Sequence, residues 1–195
     1  MDELMGARSI SSRPVVTLGG DAVAHVKDTV LDDSAGHVTG FTLTGPGLWS
    51  GPMKEGLPWP AVHALGHDAV MIRDRRSLVS AALLTVHQET VRARLLGARL
   101  LTEAGTEIGT VLDVVVEGGT AGRVAGFRVA ASRRFLPGPT RHRRRVYVPR
   151  GESATVAGRT LVLPADAVRH VADDLWGLTA LVGGAAPGRR RGWQP

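Results

Sequence analysis

The segment "TVLDVVVEGGTAGRVAGF" (Thr110–Phe127) has an echo earlier in the chain, "HVKDTVLDDSAGHVTGF" (His25–Phe41). Both segments run through valine-rich residues into an acidic turn with glycine, and then into Val-x-Gly-Phe. Turn-forming residues between two runs of β-branched residues are typical of a β-hairpin. The sequence therefore predicts that the same hairpin is built twice.

The repetition extends to both sides of the hairpin. Pro14–Asp32 aligns with Arg99–Glu117 at an offset of 85, and one extra residue in the second turn makes the offset 86. The correspondence resumes at an offset of 106, where "LPWPAVHALGHDAV" lies over "LPADAVRHVADDLW". This alignment predicts a 20-residue insertion in the second copy. Two copies predict two small domains or two lobes of one pseudo-symmetric unit.

Composition favours short strands and limits the chemistry. The chain has 195 residues, 43% of them hydrophobic, with 25 glycines and 11 prolines, which is typical of many short strands joined by turns. Because there is no cysteine, disulfides and thiolate chemistry are excluded. No apolar run reaches signal-peptide or membrane-spanning length, so we expect a cytoplasmic location.

The pattern of each copy predicts strands with sharp bends. Gly40 and Gly126 interrupt apolar strands, where glycine is typical of a bulge or a close backbone approach. We expect an all-β fold of two small, partly open β-barrels in tandem, with short helical turns. The predicted strands are Val15–Leu18, Ala22–Leu31, Val38–Thr44, Ala69–Ile72 and Leu175–Val182, with helical turns after the Leu-Pro pairs at 57–58 and 163–164 and short helices within 78–86 and 89–96.

The segments "GDAVAHVKDTVLDDSAGHVTGFTL" and "LPWPAVHALGHDAVMI" resemble the PRC-barrel domain family. The resemblance implies a non-enzymatic barrel that docks other macromolecules and needs no cofactor. It places a first domain at 12–74, a linker at 75–95 and a second domain at 96–182. An Arg-rich insertion is expected at 131–151, and a disordered basic tail at 183–195.

Asp28 and Asp113 occupy matching positions inside strands, where aspartate is disfavoured. A catalytic pair would need the two carboxylates to converge, and the sequence shows no third partner. Recurrence in both copies favours a shape requirement in which each carboxylate caps a neighbouring turn. The same reasoning marks Gly40, Phe41, Gly126 and Phe127 as structural positions of the repeat.

The sequence offers little for metal, phosphate or catalytic chemistry. His63 and His67 have the spacing of a helical metal pair, but Gly66 lies between them and a third ligand is missing. The Gly-rich pieces "LGGD" and "LTGPGLWSGP" lack the patterns that cradle phosphates. We therefore expect no metal, no cofactor and no catalytic residues.

The basic residues are concentrated in two places. Seven arginines lie between residues 133 and 150, three lie at 189–191, and no acidic residue occurs from Gly118 to Gly151. Without those ten, 14 basic residues remain against 18 acidic ones. Clustered arginines bind phosphates or carboxylates, and Phe135 and Tyr147 offer stacking surfaces. The candidate binding residues are Arg133, Arg134, Arg141, Arg143, Arg144, Arg145, Tyr147 and Arg150.

The sequence thus favours a non-catalytic interaction or adaptor module, with the Arg-rich segment as the contact for an acidic protein partner. The alternative is an RNA-binding or ribosome-associated accessory protein that uses the same segment and the tail. A solvated loop without a partner and an enzyme with a cleft between the barrels are the other readings. Homo-oligomerisation stays open.

Overall fold

The computed structural model describes residues 3–47, 50–85, 90–135, 144–166 and 169–183. The predicted strands at 15–18, 22–31, 38–44 and 69–72 and the two predicted short helices are confirmed. The strands are β1 (Leu4–Gly6), β2 (Pro14–Thr17), β3 (Ala22–Leu31), β4 (Val38–Thr44), β5 (Pro52–Pro58), β6 (Val62–Leu65), β7 (Val70–Ile72), β8 (Val79–Ser80), β9 (Arg99–Thr102), β10 (Glu107–Glu117), β11 (Val124–Ala131), β12 (Arg145–Pro149), β13 (Thr155–Ala157) and β14 (Thr160–Leu163). The helices are α1 (Ala7–Ile10), α2 (Ala81–Thr85), α3 (Val91–Arg94) and α4 (Leu175–Val182).

The strands form two sheets with the same order of pairing. The first sheet runs β6-β7-β2-β3-β4-β5-β8, and the second runs β13-β14-β9-β10-β11-β12 with β1 added on β10. In both sheets one pair of short strands is parallel, β2 with β7 and β9 with β14, and the other pairings are antiparallel. The prediction of an all-β fold with two small, partly open barrels in tandem is confirmed.

Gly40 and Gly126 lie where the backbone of the neighbouring strand comes closest, β5 beside Gly40 and β12 beside Gly126. A Cβ atom at Gly40 would lie 2.5 Å from the carbonyl oxygen of Leu57, and one at Gly126 would lie 2.4 Å from that of Val148. Real side chains do not approach a carbonyl so closely, so this close strand pairing requires glycine in both copies. The structure shows both predicted features: the close backbone approach at each glycine, and a shift of register beside it, between Val30 and Leu31 in β3 and between Val115 and Val116 in β10.

The predicted alignment of the ends of the two copies is wrong. Val15 pairs with Val70 in the first sheet, and the equivalent Leu100 pairs with Leu161 in the second, which gives an offset of 91. The Leu163-Pro164 pair therefore follows the last strand and is not the counterpart of Leu57-Pro58. The true counterpart is Val148-Pro149, because both pairs lie beside the Gly-Phe of the preceding strand.

The predicted 20-residue insertion, which depended on that alignment, is therefore also wrong. Residues 145–149 form β12, which is an integral strand of the sheet and the counterpart of β5. The extra length of the second copy lies in the connection before β12, at residues 132–144, against residues 45–51 in the first copy. The alignment relied on the recurrence of Leu-Pro. That pair restricts only the local backbone, so its recurrence does not identify equivalent strands.

The predicted strand at Leu175–Val182 is also wrong, because these residues form helix α4. Asp174 begins the helix: its side chain accepts a hydrogen bond from the backbone N–H of Gly177 at 2.7 Å. Leu178 is fully buried and Leu175, Leu181 and Val182 pack around the same cluster. That spacing of three and four residues is helical, and it outweighs the β propensity of single residues.

Each copy places its N-terminal arm on the other copy. Strand β1 pairs with β10 of the second sheet, with Met5 opposite Val116, and helix α1 then leads into the first sheet. Thr90, which is 85 residues after Met5, forms a bridge with Val30 of the first sheet before helix α3. The arms at 4–10 and 90–95 are therefore equivalent and reciprocally exchanged.

The two barrels pack on each other about a pseudo-two-fold relationship. The backbone N–H of Val38 donates to the carbonyl of Gly122, and that of Val124 donates to the carbonyl of Gly36, each at 2.8 Å. These residues differ by 86, so the same edge contacts itself, as in an isologous dimer interface. One continuous hydrophobic cluster includes core residues of both sheets, such as Phe41 and Phe127.

Candidate binding surface and cavity of the second barrel

The two copies differ along one row of side chains on the outer face of the sheet. In the second copy, the neighbouring row of Val114, Phe127 and Val148 faces the core and is fully buried, so the row beside it faces outward. The outward rows, matched position for position, are Asp28, Thr42, Gly56 and Val79 in the first sheet and Asp113, Arg128, Tyr147 and Ala172 in the second. Only the aspartate is kept.

Asp113 is a buried carboxylate that holds the N-terminal arm. Its Oδ1 accepts hydrogen bonds from the backbone N–H of Arg8 in helix α1 at 3.1 Å and from that of Val114 at 2.9 Å. Burial raises the pKa of Asp113, although these bonds and the charges of Arg8 and Arg128 act in the opposite direction. Asp28 accepts a hydrogen bond from the backbone N–H of Thr29 at 2.9 Å. The two carboxylates lie in separate sheets, and each bonds backbone groups beside it.

A cavity of about 290 Å³ lies over the outward row of the second copy. The N-terminal arm closes it on one side and helix α4 on the other. Its lining combines polar and apolar side chains from six parts of the chain: Glu3, Leu4, Met5, Gly6, Ser9, His67, Asp113, Val115, Arg128, Tyr147 and Leu175. We call this space the α4 cavity.

Arg128 is the unusual member of this lining. Its Nε atom is buried and has no hydrogen-bond partner among the residues that the structure describes. A buried guanidinium N–H without an acceptor is costly, so such groups in native proteins usually face a ligand, an ion or water. Sequence reasoning missed Arg128, because its neighbours become visible only when the strand register is known.

In the first copy, the space over the counterparts of Arg128 and Tyr147 is filled, and a cavity of about 330 Å³ lies instead beside Asp28, lined by Ala7, Arg8, Ser11, Asp28, Val91 and Leu96. Gly56 takes the place of Tyr147, and a Cβ atom there would lie 2.5 Å from Cδ1 of Leu84 in helix α2. Leu84 therefore packs directly on the strand. Thr42, in the place of Arg128, brings no charge.

Four of the predicted arginines are exposed at one end of the β11–β12 hairpin, namely Arg133, Arg134, Arg144 and Arg145. The strand ends are joined there, since the backbone N–H of Ala131 donates to the carbonyl of Arg144 at 2.9 Å. Arg144 forms an ion pair with Asp173. Arg141 and Arg143 lie outside the described residues, as do residues 184–195 of the predicted tail.

The other two predicted binding residues face the protein itself. Arg150 spans the interface between the barrels: its Nε donates to the carbonyl of Ala35 and its Nη2 to that of Ser34, both at 3.1 Å. Tyr147 packs against the apolar cluster under helix α4, which includes Leu178. Arg150 is thereby engaged in joining the copies, and the ring of Tyr147 is half-buried.

Trp176 is a surface feature that sequence reasoning missed. It stands in the first turn of helix α4 and its side chain is 82% exposed, although tryptophan is usually largely buried. Its helix begins next to Asp173, the ion-pair partner of Arg144. We call the four exposed arginines together with Trp176 the Arg–Trp surface.

His63 and His67 do not form a helical pair. His63 lies in strand β6, and His67 lies in the following turn, where its Nδ1 is 2.8 Å from Oδ1 of Asp68. Within the described ranges, no group of three or more potential metal ligands comes together. No helix among those same residues is long and apolar enough to cross a membrane.

These features define a class: a tandem of two small barrels of one topology, fused as an internal pseudo-dimer. The family model of the PRC-barrel domain matches the chain twice, at residues 2–79 and 91–170. The chain therefore belongs to the PRC-barrel domain family. The first match includes the arm at 4–10, and the second begins within the arm at 90–95. No curated protein sequence matches the chain.

Proposed function

We propose that this protein is a non-catalytic docking module that binds an acidic protein partner through the Arg–Trp surface. The observation that carries this proposal is the position of Arg133, Arg134 and Arg145. All three are exposed at the end of one hairpin, and they have no ion-pair partner among the described residues. The corresponding connection in the first copy, residues 45–51, has no charged residue.

Physical chemistry favours a partner for such a cluster. Like charges that are close together repel one another, and a carboxylate-bearing surface relieves this repulsion while accepting bidentate hydrogen bonds from guanidinium groups. Arginine and tryptophan are also the residues that most often dominate binding energy at protein interfaces. The exposed Trp176, three residues after the Asp173 that pairs with Arg144, supports a protein interface.

The aromatic residues favour protein over RNA as the partner. Single-stranded RNA is bound by stacking its bases on exposed aromatic rings within a basic groove. Phe135 packs against the core cluster, and Tyr147 packs under helix α4. The two rings expected to act as stacking platforms are thus turned toward the protein. Trp176 is the aromatic side chain left exposed among the described residues of this surface, whereas stacking of successive bases needs several such rings.

A non-catalytic role is supported by how the polar groups of the α4 cavity are used. Oδ1 of Asp113 accepts two backbone hydrogen bonds, and the hydroxyl of Ser9 donates to the carbonyl of Gly6 at 2.7 Å. A nucleophile needs an adjacent base, and Ser9 instead accepts a hydrogen bond from Arg13. These contacts support an architectural use of both groups.

The test compares two variants of equal charge. The surface variant is Arg133→Gln, Arg134→Gln, Arg145→Gln, and the control is Arg73→Gln, Arg75→Gln, Arg76→Gln, which removes three exposed arginines from the first copy. Binding of a fluorescent peptide of about ten mixed Asp and Glu residues is followed by anisotropy. We expect at least a tenfold loss for the surface variant and little change for the control.

A single-stranded RNA of similar length is the second probe. Tighter binding of RNA than of peptide, with log K falling against log salt at a slope of about −2 for three phosphate contacts, would replace the acidic partner with RNA. Equal losses in both variants would show that the binding depends only on net charge. That outcome would overturn the proposed surface.

A further inference from the structure

We propose that the α4 cavity is a binding site for a small organic carboxylate, held by the guanidinium group of Arg128. This inference does not rest on the docking function, because the cavity and the exposed arginines use different side chains. The steps are the unsatisfied donor, the shape of the cavity, the charges around it and the contrast with the first copy.

The first step is the unsatisfied donor. The Nε–H of Arg128 is buried, and the part of the chain that the structure describes offers it no acceptor. Asp113 is its cross-strand neighbour, but Oδ1 of that carboxylate already accepts two backbone hydrogen bonds. Oδ2 lies against Gly6, where an added Cβ atom would be 2.5 Å away. The guanidinium group therefore has capacity for an external oxyanion.

The second step is the shape of the cavity. About 290 Å³ is at the small end of ligand sites, which fits a metabolite of a few carbon atoms better than a nucleotide. Part of the wall is apolar, formed by Leu4, Met5, Val115 and Leu175. An apolar wall with one convergent cation fits a ligand that has a short hydrocarbon body and a single anionic head.

The third step decides between a carboxylate and a phosphate. Asp113 and Glu3 also line the cavity, so a dianion would be repelled by two acidic groups while only one arginine attracts it. A monoanion has half of both the attraction and the repulsion, so its net electrostatic cost is smaller than that of a dianion. A planar carboxylate also matches the fork of the guanidinium group in a bidentate pair. The surroundings of Arg128 thus favour a monocarboxylate.

The fourth step is the contrast between the copies. The same sheet position in the first copy carries Thr42 and Gly56, and Leu84 fills the space above them. The cavity of the first copy lies beside Asp28 and has a different lining, which includes Arg8. The cation at the Arg128 position and the cavity above it are therefore specific to the second copy. A fold needs neither of them, because the first copy forms the same sheet without them.

Binding is tested by titrating the full chain with butyrate and hexanoate, with hexylamine and inorganic phosphate as charge controls. Isothermal calorimetry measures affinity, and methyl resonances of Leu4, Val115 and Leu175 report the location. We expect saturable binding of the carboxylates, tighter for hexanoate, with shifts confined to these methyl groups. Absence of saturable carboxylate binding, or tighter binding of phosphate or amine, would overturn the proposal.

Three variants separate the guanidinium from general charge. Arg128→Gln should weaken hexanoate binding at least tenfold, and Arg128→Lys, which keeps the charge without the fork, should lie between it and the unmodified protein. Arg145 lies on the same strand as Tyr147 but outside the cavity, so Arg145→Gln should not alter hexanoate binding. Equal affinity in Arg128→Gln would overturn the site. If that variant unfolds, the methyl shifts and Arg128→Lys still decide.

The same control keeps the two proposals apart. Arg145 belongs to the Arg–Trp surface, so Arg145→Gln should weaken binding of the acidic peptide and leave hexanoate binding unchanged. Arg128→Gln should do the reverse. Loss of hexanoate binding in Arg145→Gln would show that the carboxylate binds on the exposed surface and would overturn the cavity site.

Discussion

The backbone N–H of Arg8 donates a hydrogen bond to Oδ1 of Asp113 at 3.1 Å, across 105 residues of sequence. This bond fastens the first turn of helix α1 to the long strand of the opposite copy. An aspartate inside a strand is unfavourable by propensity alone. Here it supplies an acceptor for a backbone group of the exchanged arm, so a strand residue of one copy stabilises the start of the other.

Replacing Asp113 with alanine removes that acceptor. We expect Asp113→Ala to lower the free energy of unfolding by about 1–2 kcal/mol, since two backbone N–H groups lose their bond to the side chain. For a chain of this size the melting temperature should fall by about 2–8 °C. The control is Asp21→Ala, at an exposed turn, with a change within about 0.5 kcal/mol. A fall no larger than that of the control would contradict the capping role.

The protonation of Asp113 should make its contribution depend on pH. Burial raises the pKa of this carboxyl above its ordinary value of 3.8, so the folded state binds its proton more tightly than the unfolded state does. The resulting contribution to stability is present below about pH 3.8 and is lost as pH rises through the folded pKa. The free energy of unfolding of Asp113→Asn, relative to the unmodified protein, should therefore increase between pH 3 and pH 6 in urea titrations.

Asp32 provides the control with the opposite sign. Burial acts to raise its pKa, but hydrogen bonds from the backbone N–H of Gly36, from the hydroxyl of Ser34 and from the backbone N–H of His37, with the charge of that histidine, outweigh burial and lower it. Stability from Asp32 is present above pH 3.8 and is lost as pH falls through the folded pKa. Asp32→Asn should therefore lose stability, relative to the unmodified protein, over the same rise in pH. Parallel trends in the two variants would refute the assignments.

The close approach of strands β11 and β12 at Gly126 should tolerate no side chain. Gly126→Ala places a Cβ atom 2.4 Å from the carbonyl oxygen of Val148, so the strands must separate. We expect a loss of about 1–3 kcal/mol in the free energy of unfolding, as for other overpacked sites. Gly51→Ala is the matched control, because no heavy atom lies within 4 Å of its Cβ position. Thermal melts of both variants should differ clearly; similar melting temperatures would contradict the required close approach.

The sequence predicted the parts of this fold that depend on local chemistry. The valine-rich hairpin with its glycine-bounded turn recurs at 25–41 and 110–127, and the strand glycines recur with it. The ends of the copies could not be predicted in the same way. Leu-Pro occurs three times, at 57–58, 136–137 and 163–164, and the alignment matched the first pair with the last. Among the described residues, no strand follows 163–164, whereas β6 follows 57–58.

The exchanged arms and the candidate sites are long-range features. The arms at 4–10 and 90–95 differ in nearly every residue, and what they have in common is an apolar, fully buried residue at equivalent positions, Ile10 and Leu95. Their equivalence lies in what they contact, which is the long strand of the other copy. Arg128 likewise becomes notable only when register places it between Asp113 and Tyr147.

The shared core and exchanged arms should make the two barrels unfold as one unit. The hydrophobic cluster is continuous between the copies, so opening one barrel would expose apolar surface of the other. We expect methyl resonances of Val15 in the first sheet and of Leu100 in the second to disappear at the same urea concentration. The destabilised variant Gly126→Ala, altered only in the second copy, should shift both midpoints together. If the Val15 midpoint stays in place while that of Leu100 moves, the barrels are independent domains and the pseudo-dimer interface contributes little to stability.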